Sequence, residues 1–396
     1  MKYVVLIGDG MSDYPIDTLN GKTPLQVANK PNMDSIASQG CTGQLKNVPD
    51  KYLPGSDVAN MSLMGYDPEL SYTGRGPLEA GSMGIKLSEE DVSFRCNFIT
   101  EKNGILEDFN AGHITSEESK ELIKTLNDEF NEGTFYPGVS YRHNFVYKNK
   151  DLADLPSTPP HDIVGEKIED YQFGSDNQIS MEIRNIMKKS QEILENHPVN
   201  IKRADEGKKM ANMIWLWGQG LKPSMPDFKE TYGVNAATIT AVDLIKGLGF
   251  FSGMTNIDVP GATGFFDTDY KAKGKYAVDA LKDFDFLFIH VEAPDEAGHA
   301  KDLNEKIKAI EEIDEKVLSP VLDNIPQYDD YKIAVLPDHP TPIDVGTHTR
   351  DPVPLAVLDS NKQADSTDKY DEYTVLEGSL GLNPGHFLIN KMINGF

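Results

Sequence analysis

Four stretches of the chain are apolar without interruption and run into groups that carry chemistry. "KYVVLIGDG" ends in Asp9, "FDFLFIHVEAPDEAGH" leads to Asp295 and His299, "YKIAVLPDHP" ends in Asp338 and His339, and "PVPLAVLD" follows closely on His348. Each run is short, rich in β-branched or aromatic residues, and continuous rather than alternating, which is how strands buried on both faces of a parallel sheet read. Between the runs the period changes. In "DLNEKIKAIEEIDEKVLSPVL", Leu303, Ile307, Ile310, Val317 and Val321 fall at helical spacing. Strand, helix, strand with polar residues at the strand ends predicts an α/β fold: a doubly wound, mostly parallel open sheet. Its site is then expected along the carboxyl ends of the strands.

From residue 70 to 179 the pattern breaks. "SYTGRGPLEAGSMGI", "FRCNFIT", "GHITSEESKELIKTLNDEF" and "YRHNFVYKN" precede a Pro-rich loop, "LADLPSTPPHDIVGE". This reads as a smaller α+β domain, 70–179, inserted into a main domain made of 1–69 and 180–396. Helical character resumes in "GSDNQISMEIRNIMKKSQEILENHP", and the polar segment 361–373 reads as an exposed loop. No internal repeat is visible.

Composition narrows the classes of function. A chain of 396 residues with 39% hydrophobic and 26% charged residues is a globular composition. No apolar run approaches the roughly 18 residues of a membrane span, and the N-terminal run is too short for a signal peptide. Two cysteines, Cys41 and Cys96, make no disulfide framework, so a reducing cytoplasm is expected. The net charge of −25, without a Lys/Arg-rich run, argues against nucleic acid as a partner. An anionic substrate would need local Arg, Lys or metal.

The strand ends supply candidates for the metal. Asp9, Asp295, His299, Asp338, His339 and His348 come from separate strands that a doubly wound sheet brings to one edge. Mixed carboxylate and imidazole donors suit Mn²⁺, Zn²⁺ or related divalent ions, with Mg²⁺ and Co²⁺ also open, and the donors suffice for two ions. Such a site suits phosphoryl transfer. The candidate nucleophile is Ser56 in "LPGSDVANMSLMGYDP". A serine after Pro-Gly is also a favoured N-cap, and the two roles can coexist, because a helix N-terminus favours a developing oxyanion.

These residues resemble the alkaline phosphatase superfamily, and more closely the cofactor-independent phosphoglycerate mutases of the archaeal type. The resemblance rests on "GDGMSDYP", "LPGSDVANMSLMGYDP", "YTGRGPLEA", "FRCN", "TPPHDIVG", "HVEAPDEAGH", "PDHPTP" and "THTRDPVPLAV", spread from residue 8 to residue 357. It implies one metal held by Asp9, Ser56, Asp338 and His339, and a second held by Asp295, His299 and His348. It implies that Ser56 is phosphorylated while 3-phosphoglycerate and 2-phosphoglycerate interconvert, without bisphosphoglycerate, and that the insertion is a substrate-binding lid.

The substrate clamp is expected among Arg75, Arg142, His143, His161 and Asp162, which lie in family-like motifs of the insertion, with Lys246 and Arg203 as further candidates. Gly74 and Gly76 flank Arg75 and read as turn formers rather than as a dinucleotide fingerprint. Other expectations stay open beside the mutase: a hydrolase, a homoserine kinase-like phosphotransferase on the same core, or a non-catalytic metal or phosphate sensor.

Overall fold

The computed structural model describes residues 1–173 and 178–395, so the first four residues of the "GSDNQIS" segment lie outside the described residues. The chain divides into two compact units, Met1–Tyr72 with Ser224–Phe396, and Thr73–Pro223.

The first unit is built on an eight-stranded sheet. In spatial order the strands are Gly381–Pro384, Cys41–Lys46, Val353–Asp359, Tyr331–Leu336, Lys2–Gly8, Phe286–Val291, Ala236–Ile239 and Thr255–Ile257. Pairing is parallel from Tyr331–Leu336 through to Thr255–Ile257. Lys2–Gly8 and Phe286–Val291 lie in the middle and are buried almost throughout. Val4, Leu6, Leu287, Ile289, Ile333 and Val335 belong to one continuous core with the flanking helices.

One strand departs from the expected direction. Val353–Asp359, the "PVPLAVLD" run, is antiparallel to both of its neighbours. A continuous apolar run reports burial on two faces and says nothing about direction. The consequence is local: the beginning of this strand, not its end, lies at the carboxyl edge of the parallel strands, and His348 just before it reaches that edge.

The helical pattern at 303–321 also carries an irregularity. Leu303–Glu312 is α-helical, Ile313–Leu318 is a π-helical stretch, and Ser319–Asn324 is α-helical again. Asp314 in the π stretch accepts from the Met33 backbone N–H at 2.7 Å and from Asn32 Nδ2 at 2.8 Å, so a buried carboxylate is satisfied where the helical ladder widens.

The second unit holds a five-stranded antiparallel sheet. Val92–Lys102 pairs with Ile105–Asp108, Arg142–Tyr147 and Met213–Leu221, and Arg142–Tyr147 pairs with Gly133–Val139. Phe94, Phe98, Phe145, Trp215 and Met187 share its core. This unit reaches Pro223 rather than ending at 179. The strand Met213–Leu221 is laid along Val92–Lys102, and the helix Gln178–Leu194 buries Ile183, Ile186 and Met187 in the same core. Helical periodicity shows which face of 178–194 is apolar but not which sheet covers it.

Two smaller readings are corrected. Gly74 does turn the chain, with φ +140° ahead of the helix Arg75–Ser82, but Gly76 lies inside that helix, where a Cβ would come within 2.4 Å of the Ser93 carbonyl oxygen. The 361–373 segment is irregular yet only partly exposed. Tyr370 is buried, donating its hydroxyl to the Pro354 carbonyl at 3.1 Å, while its N–H reaches Asp34 at 3.0 Å. No helix among the described residues is long and apolar enough to cross a membrane.

Candidate active site

The carboxyl edge of the larger sheet gathers the strand-end residues. Asp9 follows Lys2–Gly8, and Asp338 and His339 follow Tyr331–Leu336. Asp295 and His299 sit one turn apart on the short helix Ala293–His299 that follows Phe286–Val291. Donor atoms of Asp9, Asp338 and His339 lie within 4.8 Å of one another, and so do those of Asp295, His299 and His348. In the first group His339 Nε2 is 3.6 Å from Asp9 Oδ1 and 3.5 Å from Asp338 Oδ2. In the second, His299 Nε2 and His348 Nε2 are 2.9 Å apart, each 3.2–3.3 Å from an Asp295 oxygen. The His339 and His348 rings, 4.0 Å apart, place the groups side by side.

Ser56 joins the first group. It is the first residue of the helix Ser56–Leu63, and its Oγ lies 3.1 Å from His339 Nε2. The N-cap position belongs to Gly55, which has no side chain to cap with. The capping role expected for Ser56 is therefore absent, and its hydroxyl is turned to the histidine instead.

The electrostatics are those of acids crowded together in the interior. Burial, together with Asp338, Glu292 and Asp295, holds the Asp9 carboxyl well above its ordinary range. Burial and the acidic neighbours Asp295 and Asp338 push Glu292 up to about 8. Burial would also raise Asp295, but hydrogen bonds with His299 and His348 bring it well below its ordinary value. In turn the Asp295 contact raises His299 to about 9. Asp9 Oδ1 is buried and has no hydrogen-bond partner among the described residues. A crowd of buried acids with an unpaired oxygen and clustered imidazole nitrogens is a donor set that fits divalent cations.

Residues outside the sequence-derived set hold these donors. His290 Nε2 lies 2.9 Å from Asp9 Oδ2. Asn60 Nδ2 donates to Asp338 Oδ2 at 2.7 Å and to the Ser56 carbonyl at 2.9 Å. Thr341 Oγ1 donates to Asp295 Oδ1. Asp9, His290 and Glu292 form a third set of donor atoms within 4.8 Å. Two signals were available: His290 and Glu292 alternate in "HVE", as residues on one face of a strand do, and Asn60 lies one helical turn after Ser56.

The clamp candidates fare unequally. In the second unit, Arg75 opens the helix Arg75–Ser82 and Arg142 opens its strand opposite Asn97. His161 is exposed, edge-on to Trp217 at 5.6 Å, with Asp162 3.7 Å from its ring. Arg203 is buried and committed to Glu118, Ala111 and Lys209 at 2.7–2.9 Å, which makes it a structural tie rather than a clamp. His143 is buried against Phe98, with Nδ1 accepting from the Gly138 N–H at 3.0 Å, and is likewise structural. In the first unit Lys246 pairs with Asp258 at 2.7 Å. The motif "FRCN" hid one more cation. Arg95 stacks 4.0 Å over the Trp217 ring, with its Nε 2.8 Å from Glu79. Burial lowers its pKa, opposed by Glu79 and reinforced by the charges of Arg75 and Arg142, so Arg95 feels the charge of both.

Comparison with known proteins agrees with this geometry. A family model described as 2,3-bisphosphoglycerate-independent phosphoglycerate mutase matches residues 37–200. A protein of that name from Methanothermobacter thermautotrophicus is 55% identical, over 100% of this chain and 98% of its own. One from Methanothrix thermoacetophila is 51% identical over 100% of both. Among solved structures, a Pyrococcus horikoshii protein superposes with a TM-score of 0.85 at 32% identity, covering 99% of this chain and 96% of its own. The cofactor-independent phosphoglycerate mutase of Thermoplasma acidophilum superposes with a TM-score of 0.71 at 27% identity, covering 100% and 99%. Identity above one half along the whole length, over a sheet edge that assembles the expected donors, leaves one conclusion: the chain belongs to the family of 2,3-bisphosphoglycerate-independent phosphoglycerate mutases.

Proposed function

We propose that this protein interconverts 3-phosphoglycerate and 2-phosphoglycerate, without bisphosphoglycerate, through a phosphoserine at Ser56. The observation that carries the reading is the Ser56 hydroxyl, 3.1 Å from His339 at the start of a helix and beside two carboxylate–imidazole groups. In this reading Asp9, Ser56, Asp338 and His339 hold one divalent ion, and Asp295, His299 and His348 hold the other, Mn²⁺ or Zn²⁺ by the donor mixture. When bound, such ions favour the serine alkoxide and neutralise charge on the transferring phosphoryl group.

The remaining steps belong to the chain. Ser56 Oγ loses its proton and attacks the phosphorus of 3-phosphoglycerate. The bond from phosphorus to the C3 oxygen breaks, and that oxygen takes up a proton. The start of the Ser56–Leu63 helix presents backbone N–H groups and its positive dipole end to the phosphoryl oxygens. Glycerate then reorients, its C2 hydroxyl loses a proton and attacks the phosphoserine, and Ser56 Oγ leaves and takes up a proton. Glycerate must stay and water must stay out between the two transfers. We assign that task to the Thr73–Pro223 unit, as a substrate-binding lid whose Arg75, Arg95 and Arg142 suit an anion.

The test is a direct assay. Purified protein stripped with EDTA and given 3-phosphoglycerate without bisphosphoglycerate is expected to be inactive. Added Mn²⁺ should restore formation of 2-phosphoglycerate. Release of free phosphate without 2-phosphoglycerate would replace the mutase by a hydrolase. Full activity after verified removal of metal would end the two-metal reading.

A further inference from the structure

Lys306 is a charged side chain in the interior of the first unit, with no exposure to solvent. It sits on the helix Leu303–Glu312, directly after the segment that carries Asp295 and His299. Its three ammonium hydrogens find three partners: Asp13 Oδ2 at 2.7 Å, the Ser12 carbonyl at 3.1 Å and the Thr341 carbonyl at 2.8 Å. Asp13 in turn accepts from the Ile343 N–H at 3.1 Å. The contacts therefore join three segments. One is the loop after Lys2–Gly8, which holds Asp9. Another is the loop after Tyr331–Leu336, which holds Asp338 and His339. The third leads from Asp295 and His299. Thr341 closes the circuit, because its carbonyl accepts from Lys306 while its hydroxyl donates to Asp295. Gly10 adds a strut, its N–H donating to Asp338 Oδ1 at 3.2 Å.

A buried ion pair is weak support for stability, since apolar residues of similar volume often serve as well. What an apolar side chain cannot do is hold two carbonyls and a carboxylate from separate loops around one point. We propose that Lys306 is a positioning residue, an internal cation that sets the spacing of the metal-ligand segments before metal arrives. This rests on the two-metal reading above. It adds that the site is pre-formed by the protein and not assembled by the ions.

Two measurements test it. In the metal-free wild type, the Gly10 and Ile343 amides should be protected from hydrogen exchange. If they exchange as open loops and gain protection only on adding Mn²⁺, the proposal is overturned. The variant pair Lys306→Met with Asp13→Asn removes both charges together, so no lone buried charge opposes folding, and the introduced amide oxygen can still accept from the Ile343 N–H. Calorimetric titration of the stripped protein well below its unfolding temperature should show Mn²⁺ dissociation constants raised about 10–100-fold. KM for 3-phosphoglycerate at saturating Mn²⁺ should stay within about twofold of wild type. A purely structural lysine would lower the unfolding temperature and leave the metal affinity unchanged, and that result would overturn the proposal. If the double variant does not fold, the exchange measurement decides alone. Wild type that binds no Mn²⁺ would instead refute the two-metal reading itself.

Discussion

Ser56 and Ser62 stand on one helix, both buried, and differ in what they face. Ser56 lies against His339, while Ser62 is about 9 Å further along the helix axis. Ser56→Ala is expected to fold with at most about 1 kcal/mol lost, since it gives up one hydrogen bond and no cap. Its turnover should fall by several orders of magnitude. Mass spectrometry of wild type incubated with 3-phosphoglycerate should find one phosphate on the peptide spanning Ser56, absent from the variant. Ser62→Ala should remain active. A near-normal rate in Ser56→Ala would refute the nucleophile. His143 makes a prediction of another kind. Burial holds its pKa at about 3, below the ~6.5 of an unfolded histidine. Between these values the unfolded chain binds the extra proton. Its contribution to stability is thus complete above pH ~6.5 and is lost as pH falls, by about 1.4 kcal/mol per unit. Both tryptophans, Trp215 and Trp217, lie in the same unit and report its unfolding. Urea titrations followed by their fluorescence should show wild type losing more stability than His143→Leu between pH 6.5 and 4.5. Parallel pH profiles would remove His143 from this account.

At the scale of elements, the helix Arg75–Ser82 shows packing overruling propensity. Alanine normally improves on glycine inside a helix by up to about 1 kcal/mol. At Gly76 the added Cβ would stand 2.4 Å from the Ser93 carbonyl oxygen and 2.9 Å from that of Gly218. Both are backbone atoms, so the helix itself must move. Gly76→Ala is therefore expected to destabilise the Thr73–Pro223 unit by about 1–3 kcal/mol. Because Arg75 opens the same helix, KM for phosphoglycerate should rise as well. Denaturant midpoints and steady-state kinetics check both, and a stabilised variant would mean that the helix does not approach the strand this closely. The sequence showed a glycine pair around an arginine. It could not show that one glycine turns the chain and the other makes room for a neighbouring strand, because that depends on residues far along the chain.

At the scale of the whole molecule, the two units have separate cores. If the Thr73–Pro223 unit closes during turnover, solution scattering should show a smaller radius of gyration with substrate and Mn²⁺ than without. An unchanged radius, with substrate shown to be bound, would count against a lid. The net charge of −25 has a consequence at this scale too. An anionic substrate approaches an acidic molecule, so local cations must carry recognition, and raising ionic strength is expected to weaken it only modestly.

The chain by itself determined the sheet class, and it pointed to the strand-end cluster and to the serine proposed as nucleophile. Each was legible because a short-range pattern reports it: continuous apolar runs mark two-faced burial, and a doubly wound sheet delivers the ends of such runs to one edge. What only the tertiary structure decided depends on partners distant in sequence. The direction of Val353–Asp359 follows from its pairing with Tyr331–Leu336 and Cys41–Lys46. The reach of the second unit to Pro223 follows from one strand laid along Val92–Lys102. Arg203 looked like a clamp and proved to be a tie, because two of its three acceptors, Glu118 and Ala111, come from far along the chain. His290, Asn60, Thr341 and Lys306 act by orienting other groups, and orientation has no period along a chain. It arises only when separate segments meet.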